Sequence, residues 1–143
     1  SNVTNMSYMF YNCSSLEKLN ITNFDTSKVR DMSYIFNNCR KIEDLNLSSF
    51  KTSNVINMSN MFNRCSSLIN LTIPNFDIKK STRIKCMFSK CKLKIQSKIQ
   101  FQFKNININD AFEDDKTKYD DDFIFFEYFY DLNDEPPLNF LFH

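Results

Sequence analysis

Residues 34–47 read Y-I-F-N-N-C-R-K-I-E-D-L-N-L, and this stretch decides the fold. Residues 8–21 read Y-M-F-Y-N-C-S-S-L-E-K-L-N-I, and residues 60–74 read N-M-F-N-R-C-S-S-L-I-N-L-T-I-P. The three lie 26 positions apart, with no insertion between them. Outward from them the same period runs on. Met6, Met32, Met58 and Ile84 align, as do Phe10, Phe36, Phe62 and Phe88. Cys13, Cys39, Cys65 and Cys91 form a third column, and Ile21, Leu47, Ile73 and Ile99 a fourth. Phe24, Phe50 and Phe76 match until Gln102 breaks the column, and Val3, Val29 and Val55 until Ser81 does. The chain thus holds three good repeats and a degenerate fourth. It starts in mid-repeat, so further repeats and any leader or anchor are expected upstream.

Within a unit, L-x-x-L-x-I alternates. Leu19 and Ile21 point inward, and Lys18, Asn20 and Thr22 outward. The apolar residues of the next stretch (Val29, Met32, Ile35, Phe36, Cys39) recur every three or four positions. That spacing predicts a second short extended piece and one helical turn. Asn5, Asp31 and Asn57, each two residues before a Ser, can accept from free amides at the turn. One 26-residue unit buries too little apolar surface to offset its own ordering entropy, so neighbouring units must supply the rest.

The three quoted stretches resemble the BspA-like leucine-rich repeats. The linking F-D-T-S-K-V-R-D-M (24–32) looks like the 25–26-residue variant of bacterial and protist surface proteins. The expected fold class is an α/β repeat solenoid of leucine-rich-repeat type. Each rung would have one short strand, a second extended piece and a helical turn. Residues 1–100 would form the repeats. Residues 101–143 would form an acidic aromatic tail, either a C-terminal cap or low-complexity sequence without fixed structure. The resemblance implies a non-enzymatic protein-binding or adhesion module at the cell surface, meeting a protein or host-surface ligand. The rival expectation is an intracellular, cytoplasmic scaffold built on the same array. A third is a charge-driven binder of phosphate or nucleic acid. In the family, Gly often precedes the ladder Cys in a left-handed turn. Here Asn12, Asn38, Arg64 and Lys90 hold that place, and Asn is the next-best residue for it.

Stacking the units puts Lys18, Asp44, Asn70 and Gln96 in one exposed column. Asn20, Asn46, Thr72 and Lys98 form a second, and Thr22, Ser48, Pro74 and Gln100 a third. The candidate binding residues on this strand face are Lys18, Asn20, Thr22, Asp44, Asn46, Ser48, Asn70, Thr72, Gln96 and Lys98. The cysteine column is read as a buried ladder of free thiols. Stacked rungs point their Cβ atoms in parallel, which suits neither a disulfide nor a zinc site. Cys86 lies outside the column and is expected to be the exposed thiol. Seven Asn-x-Ser/Thr sequons occur, at Asn2, Asn5, Asn12, Asn20, Asn46, Asn57 and Asn70. They are mostly the repeat copying itself.

Composition narrows the chemistry. The 143 residues include no Gly, where about ten would be usual. That excludes a Walker phosphate loop, a dinucleotide-binding turn, an EF-hand and a nucleophile elbow, all of which need Gly. The one His is the terminal His143, which leaves no histidine general base inside the array. No catalytic residue, cofactor or metal is expected. Residues 1–104 carry a net charge of +10 and residues 105–143 carry −9. Nine Lys/Arg and no acid lie between Lys79 and Lys104. That window is expected to lack interleaved exposed aromatics and carries no nucleic-acid motif, which argues against nucleic acid as the partner. No apolar run approaches the roughly 18 residues of a membrane span. Asp120-Asp121-Asp122 ahead of Phe123–Tyr130 reads as a possible capping helix, with Pro136-Pro137 as its stop.

Overall fold

The computed structural model describes residues 1–114 of the chain. The Asp120–Tyr130 reading falls outside the described residues. In chain order the elements are strand β1 (Asp44–Asn46), strand β2 (Asn70–Thr72), helix α1 (Leu93–Gln102) and a 3-10 turn (Asn109–Phe112). β1 and β2 pair in parallel, with Asp44 opposite Asn70, Leu45 opposite Leu71 and Asn46 opposite Thr72. That register is the 26-residue shift itself. Single parallel bridges join Asn5 to Asp31, Asp31 to Asn57 and Asn57 to Arg83 at the same shift.

Between these bridges and the next strand position, each unit makes a broad turn. Alternate amides of the turn reach toward the following unit. Met6, Tyr8, Phe10 and Asn12 donate N–H to the carbonyls of Asp31, Ser33, Ile35 and Asn37, at 2.9–3.0 Å. Met32, Tyr34, Phe36 and Asn38 do the same to Asn57, Ser59, Met61 and Asn63. Met58, Asn60, Phe62 and Arg64 repeat it to Arg83, Lys85, Met87 and Ser89. The turn is not the helical one the spacing predicted. It holds two left-handed residues per unit. Asn12, Asn38, Arg64 and Lys90 have φ of 59°, 64°, 67° and 58°, as their place before the Cys predicts. A second left-handed column, Tyr8, Tyr34, Asn60 and Cys86, has φ of 56–62°.

The core is a set of stacked columns. The rings of Phe10, Phe36, Phe62 and Phe88 stack at centroid separations of 5.2–5.7 Å. Val29, Met32, Ile42, Leu45, Leu47 and Phe50 are buried beside them, with their counterparts 26 residues on. Thr26 and Thr52 are also buried, and their hydroxyls bond the backbone of the next unit. Among the described residues only β1 and β2 are strands, although the alternation predicted one in every unit.

The fourth unit departs from the pattern for a readable reason. Lys94 stands in the column of Leu16, Ile42 and Leu68, and Ser97 in that of Leu19, Leu45 and Leu71. Without those inward residues a strand has nothing to bury. Ile95 and Ile99 lie four apart, and that pair instead forms the buried side of α1. The domain boundary expected at residue 100 falls inside this helix. The 3-10 turn then closes the array. Asp110 and Ala111 carbonyls accept from Cys86 and Phe88 amides at 2.9 and 2.8 Å, and the Phe112 ring extends the phenylalanine stack 6.2 Å beyond Phe88.

Candidate functional site

The strand face carries the exposed polar columns of the first three units. Lys18, Asn20, Thr22, Asp44, Asn46, Asn70 and Thr72 are exposed and Ser48 is half-buried, while Leu45 and Leu71 between them are buried. Much of the polar capacity there is spent locally. The Asn70 amide donates to the Asp44 carboxylate across the β1–β2 pair. Asn20 Oδ1 accepts from the Thr22 amide and hydroxyl at 3.2 and 2.9 Å, and Asn46 Oδ1 from the Ser48 amide at 2.9 Å. Asn5, Asp31 and Asn57 form the same turn with Ser7, Ser33 and Ser59. Four sequons (Asn5, Asn20, Asn46 and Asn57) are thus side-chain turns, in which the Asn oxygen organises the backbone two residues on. That chemistry accounts for their recurrence.

A shallow groove of about 580 Å³ opens beside these columns, lined by Glu17, Lys18, Leu19, Lys41, Glu43, Asp44 and Ser67. Lys18 and Asp44 are two of the sequence-derived candidates. Glu17, Lys41, Glu43 and Ser67 were missed because they precede the strand positions. No periodic signal marked them: Ile69 breaks the column of Glu17 and Glu43, and Lys41 stands between Ser15 and Ser67 in its own. Two lysines and three carboxylates make the rim mixed in sign. It suits a partner surface carrying both charges rather than a small anion.

Two candidates move off the face. Gln96 and Lys98 lie on α1, not on a strand, because the fourth unit lost its inward leucines. Gln96 Nε2 donates to the carbonyls of Phe88 and Cys91 at 3.2 and 3.3 Å, which closes the chain onto the preceding turn.

None of the five cysteines is in a disulfide. Cys39, Cys65 and Cys91 donate S–H to the carbonyls of Phe10, Phe36 and Phe62 at 3.2, 3.1 and 3.0 Å. Burial pushes the Cys91 thiol up to about 12, against the bond it accepts from its neighbour. Burial, with Cys91 and Cys39 beside it, also raises Cys65 well above the usual thiol range. Such thiols are inert. Cys86 is buried rather than exposed, since it occupies the second left-handed column and is covered by the 3-10 turn. Cys13 is half-buried, the most exposed of the five thiols.

Among the described residues, no group of three or more metal-ligating side chains comes together. No helix there is long and apolar enough to cross a membrane. Asp25 is held down to about 2, chiefly by the Ser27 hydroxyl and then by the Ser27 amide. It sits at a surface turn away from the groove.

Comparison with known proteins found no match among curated proteins and none among solved structures. Residues 1–120 match one family, described as Mycoplasma protein of unknown function, DUF285. That match covers most of the sequence, and the chain belongs to this DUF285 family.

Proposed function

We propose that the chain is a BspA-like leucine-rich-repeat solenoid that serves as a non-enzymatic protein-binding or adhesion module. The single observation that carries this reading is the strand face. Exposed polar residues recur on it at one register, around a groove of mixed charge lined by Lys18, Lys41, Glu17, Glu43 and Asp44. Leucine-rich repeats of this kind meet protein partners on that face, so the ligand is a protein or host-surface molecule with patches of both signs. The cell-surface placement belongs to the same proposal and rests on the family resemblance.

The test is an affinity pull-down from host-cell surface extract with the wild-type chain and a Lys18→Glu/Asp44→Lys/Lys41→Glu variant. These residues are exposed, so the variant should melt with the wild type. A partner retained by the wild type and lost by the variant supports the reading. Equal retention by both chains overturns the strand-face assignment.

A further inference from the structure

Helix α1 buries only one side. Ile95 and Ile99 face the array, at 0% and 1% exposure. The opposite side carries Leu93, Ser97 and Phe101 at i, i+4 and i+8, which is a single stripe. Leu93 is 79% exposed and Phe101 74%, the two largest exposures among the large apolar side chains described. Lone exposed apolar residues are ordinary, but two on one short stripe beside a concentrated charge are not. Lys94 and Lys98 flank the stripe, Lys92 precedes it, and the Lys104 ammonium lies 5.3 Å from the Phe101 ring centroid. Lys92, Lys94, Lys98 and Lys104 are exposed and form no ion pair with any described residue. No acid occurs anywhere from residue 79 to residue 104.

We propose that the outer face of α1 is a contact surface for an anionic lipid bilayer, with Leu93 and Phe101 entering the headgroup region and Lys92, Lys94, Lys98 and Lys104 meeting lipid phosphates. The pairing of the two features selects this occupant. Basic side chains alone would suit any polyanion, because attraction to phosphate is not selective. Leu93 gains nothing from a solvated polyanion and duplex nucleic acid offers Phe101 no free base to stack on, whereas both side chains transfer favourably into the interfacial layer of a membrane. The lysine stems can lie along the apolar boundary with their ammonium groups at phosphate depth. The helix is short and remains anchored to the array by Ile95 and Ile99, so it lies on the surface rather than spanning it. This contact is separate from the strand face and does not depend on the reading proposed for it.

The test uses the full chain and vesicle sedimentation at about 0.15 M salt. One set of vesicles is phosphatidylcholine alone. The other carries roughly one third phosphatidylglycerol, enough to give a negative surface potential. The chain should partition into the anionic vesicles about tenfold better than into the neutral ones, and higher salt should weaken it. Lys94→Gln/Lys98→Gln should lose about tenfold of that binding. Leu93→Ser/Phe101→Ser leaves the charge unchanged and should also lose about tenfold. Both pairs are exposed, so unchanged melting temperatures will show that the fold is intact. Equal binding to both vesicle types, no binding, or full binding by Leu93→Ser/Phe101→Ser would each overturn the proposal. So would tight binding to duplex DNA at the same salt that the Leu93→Ser/Phe101→Ser pair leaves intact, since that marks a polyanion site.

Discussion

The Thr26 hydroxyl lies 2.8 Å from the Lys51 amide and 3.0 Å from the Lys51 carbonyl, so one oxygen accepts and donates across the seam between two units. Thr52 repeats the clasp on Asp77, at 2.7 and 3.4 Å. Ile78 holds the third place in this column and has no hydroxyl to offer. The clasp therefore binds unit one to unit two and unit two to unit three, and ends there.

Thr52→Val preserves shape and removes both bonds between the buried Thr52 hydroxyl and the part-buried backbone of Asp77. A loss of about 1 kcal/mol is expected, the usual net contribution of a hydrogen bond whose partner stays within reach of solvent. The denaturation midpoint in urea checks this. A change within about 0.5 kcal/mol would show that solvent replaces the hydroxyl at this seam.

The left-handed turns yield a second expectation. Lys90 is exposed and sits at φ 58°, so Lys90→Gly should raise stability by about 1 kcal/mol by removing the Cβ penalty. Arg64 has φ 67° but is buried. Arg64→Gly relieves the same backbone and empties a packed site, so its net gain should be smaller than that of Lys90→Gly, or negative. Thermal melts of the two variants decide the order.

The buried thiols make stability depend on pH at the alkaline end. The Cys91 thiol is held up at about 12 in the fold, against its ordinary value of 9.0. The raised value means the folded state keeps a proton that the unfolded state releases. That contribution is complete below pH 9 and is lost as pH rises toward 12. By pH 11 the loss from this one thiol is about 2–3 kcal/mol. Cys91→Ser keeps a donor for the Phe62 carbonyl and does not ionise in this range. Its melting temperature should fall less than that of the wild type between pH 9 and pH 11, and parallel curves would contradict the assignment. In the native state at neutral pH, a thiol reagent should label Cys13 first and the other four only on unfolding.

Phe112 extends the ring stack past the last repeat, 6.2 Å from Phe88. Phe112→Ser should cost about 1–2 kcal/mol, since the ring is only partly covered. It should also speed amide exchange at Cys86 and Phe88, whose N–H groups the 3-10 turn closes. Hydrogen exchange read residue by residue tests this. Unchanged protection at those two amides would mean the turn holds without its aromatic anchor.

The sequence by itself determined the register. A 26-residue period with no insertion leaves one way to superpose Cys13, Cys39, Cys65 and Cys91, and the alternation of Leu45 and Leu47 settles which side chains are inside. The family resemblance marked one left-handed position per unit, where Gly is usual and Asn12 and Asn38 are the next-best residues. The exposed columns of the first three units were legible from the period and the alternation. The groove's Lys41 and Glu43 were not, since their value comes from lying beside Lys18 of the preceding unit. Only the tertiary structure decided the second left-handed column, where two Tyr, an Asn and a Cys have no left-handed preference in common. Their handedness accompanies four amides per unit that all face one neighbour, a condition that does not exist within a single unit. The threonine clasps belong to the same class, whereas the loss of the fourth strand is written in Lys94 and Ser97, which replace its inward residues. Column and clasps alike are set by what the adjoining rung offers to bond or bury, and a chain carries that information only when it is folded.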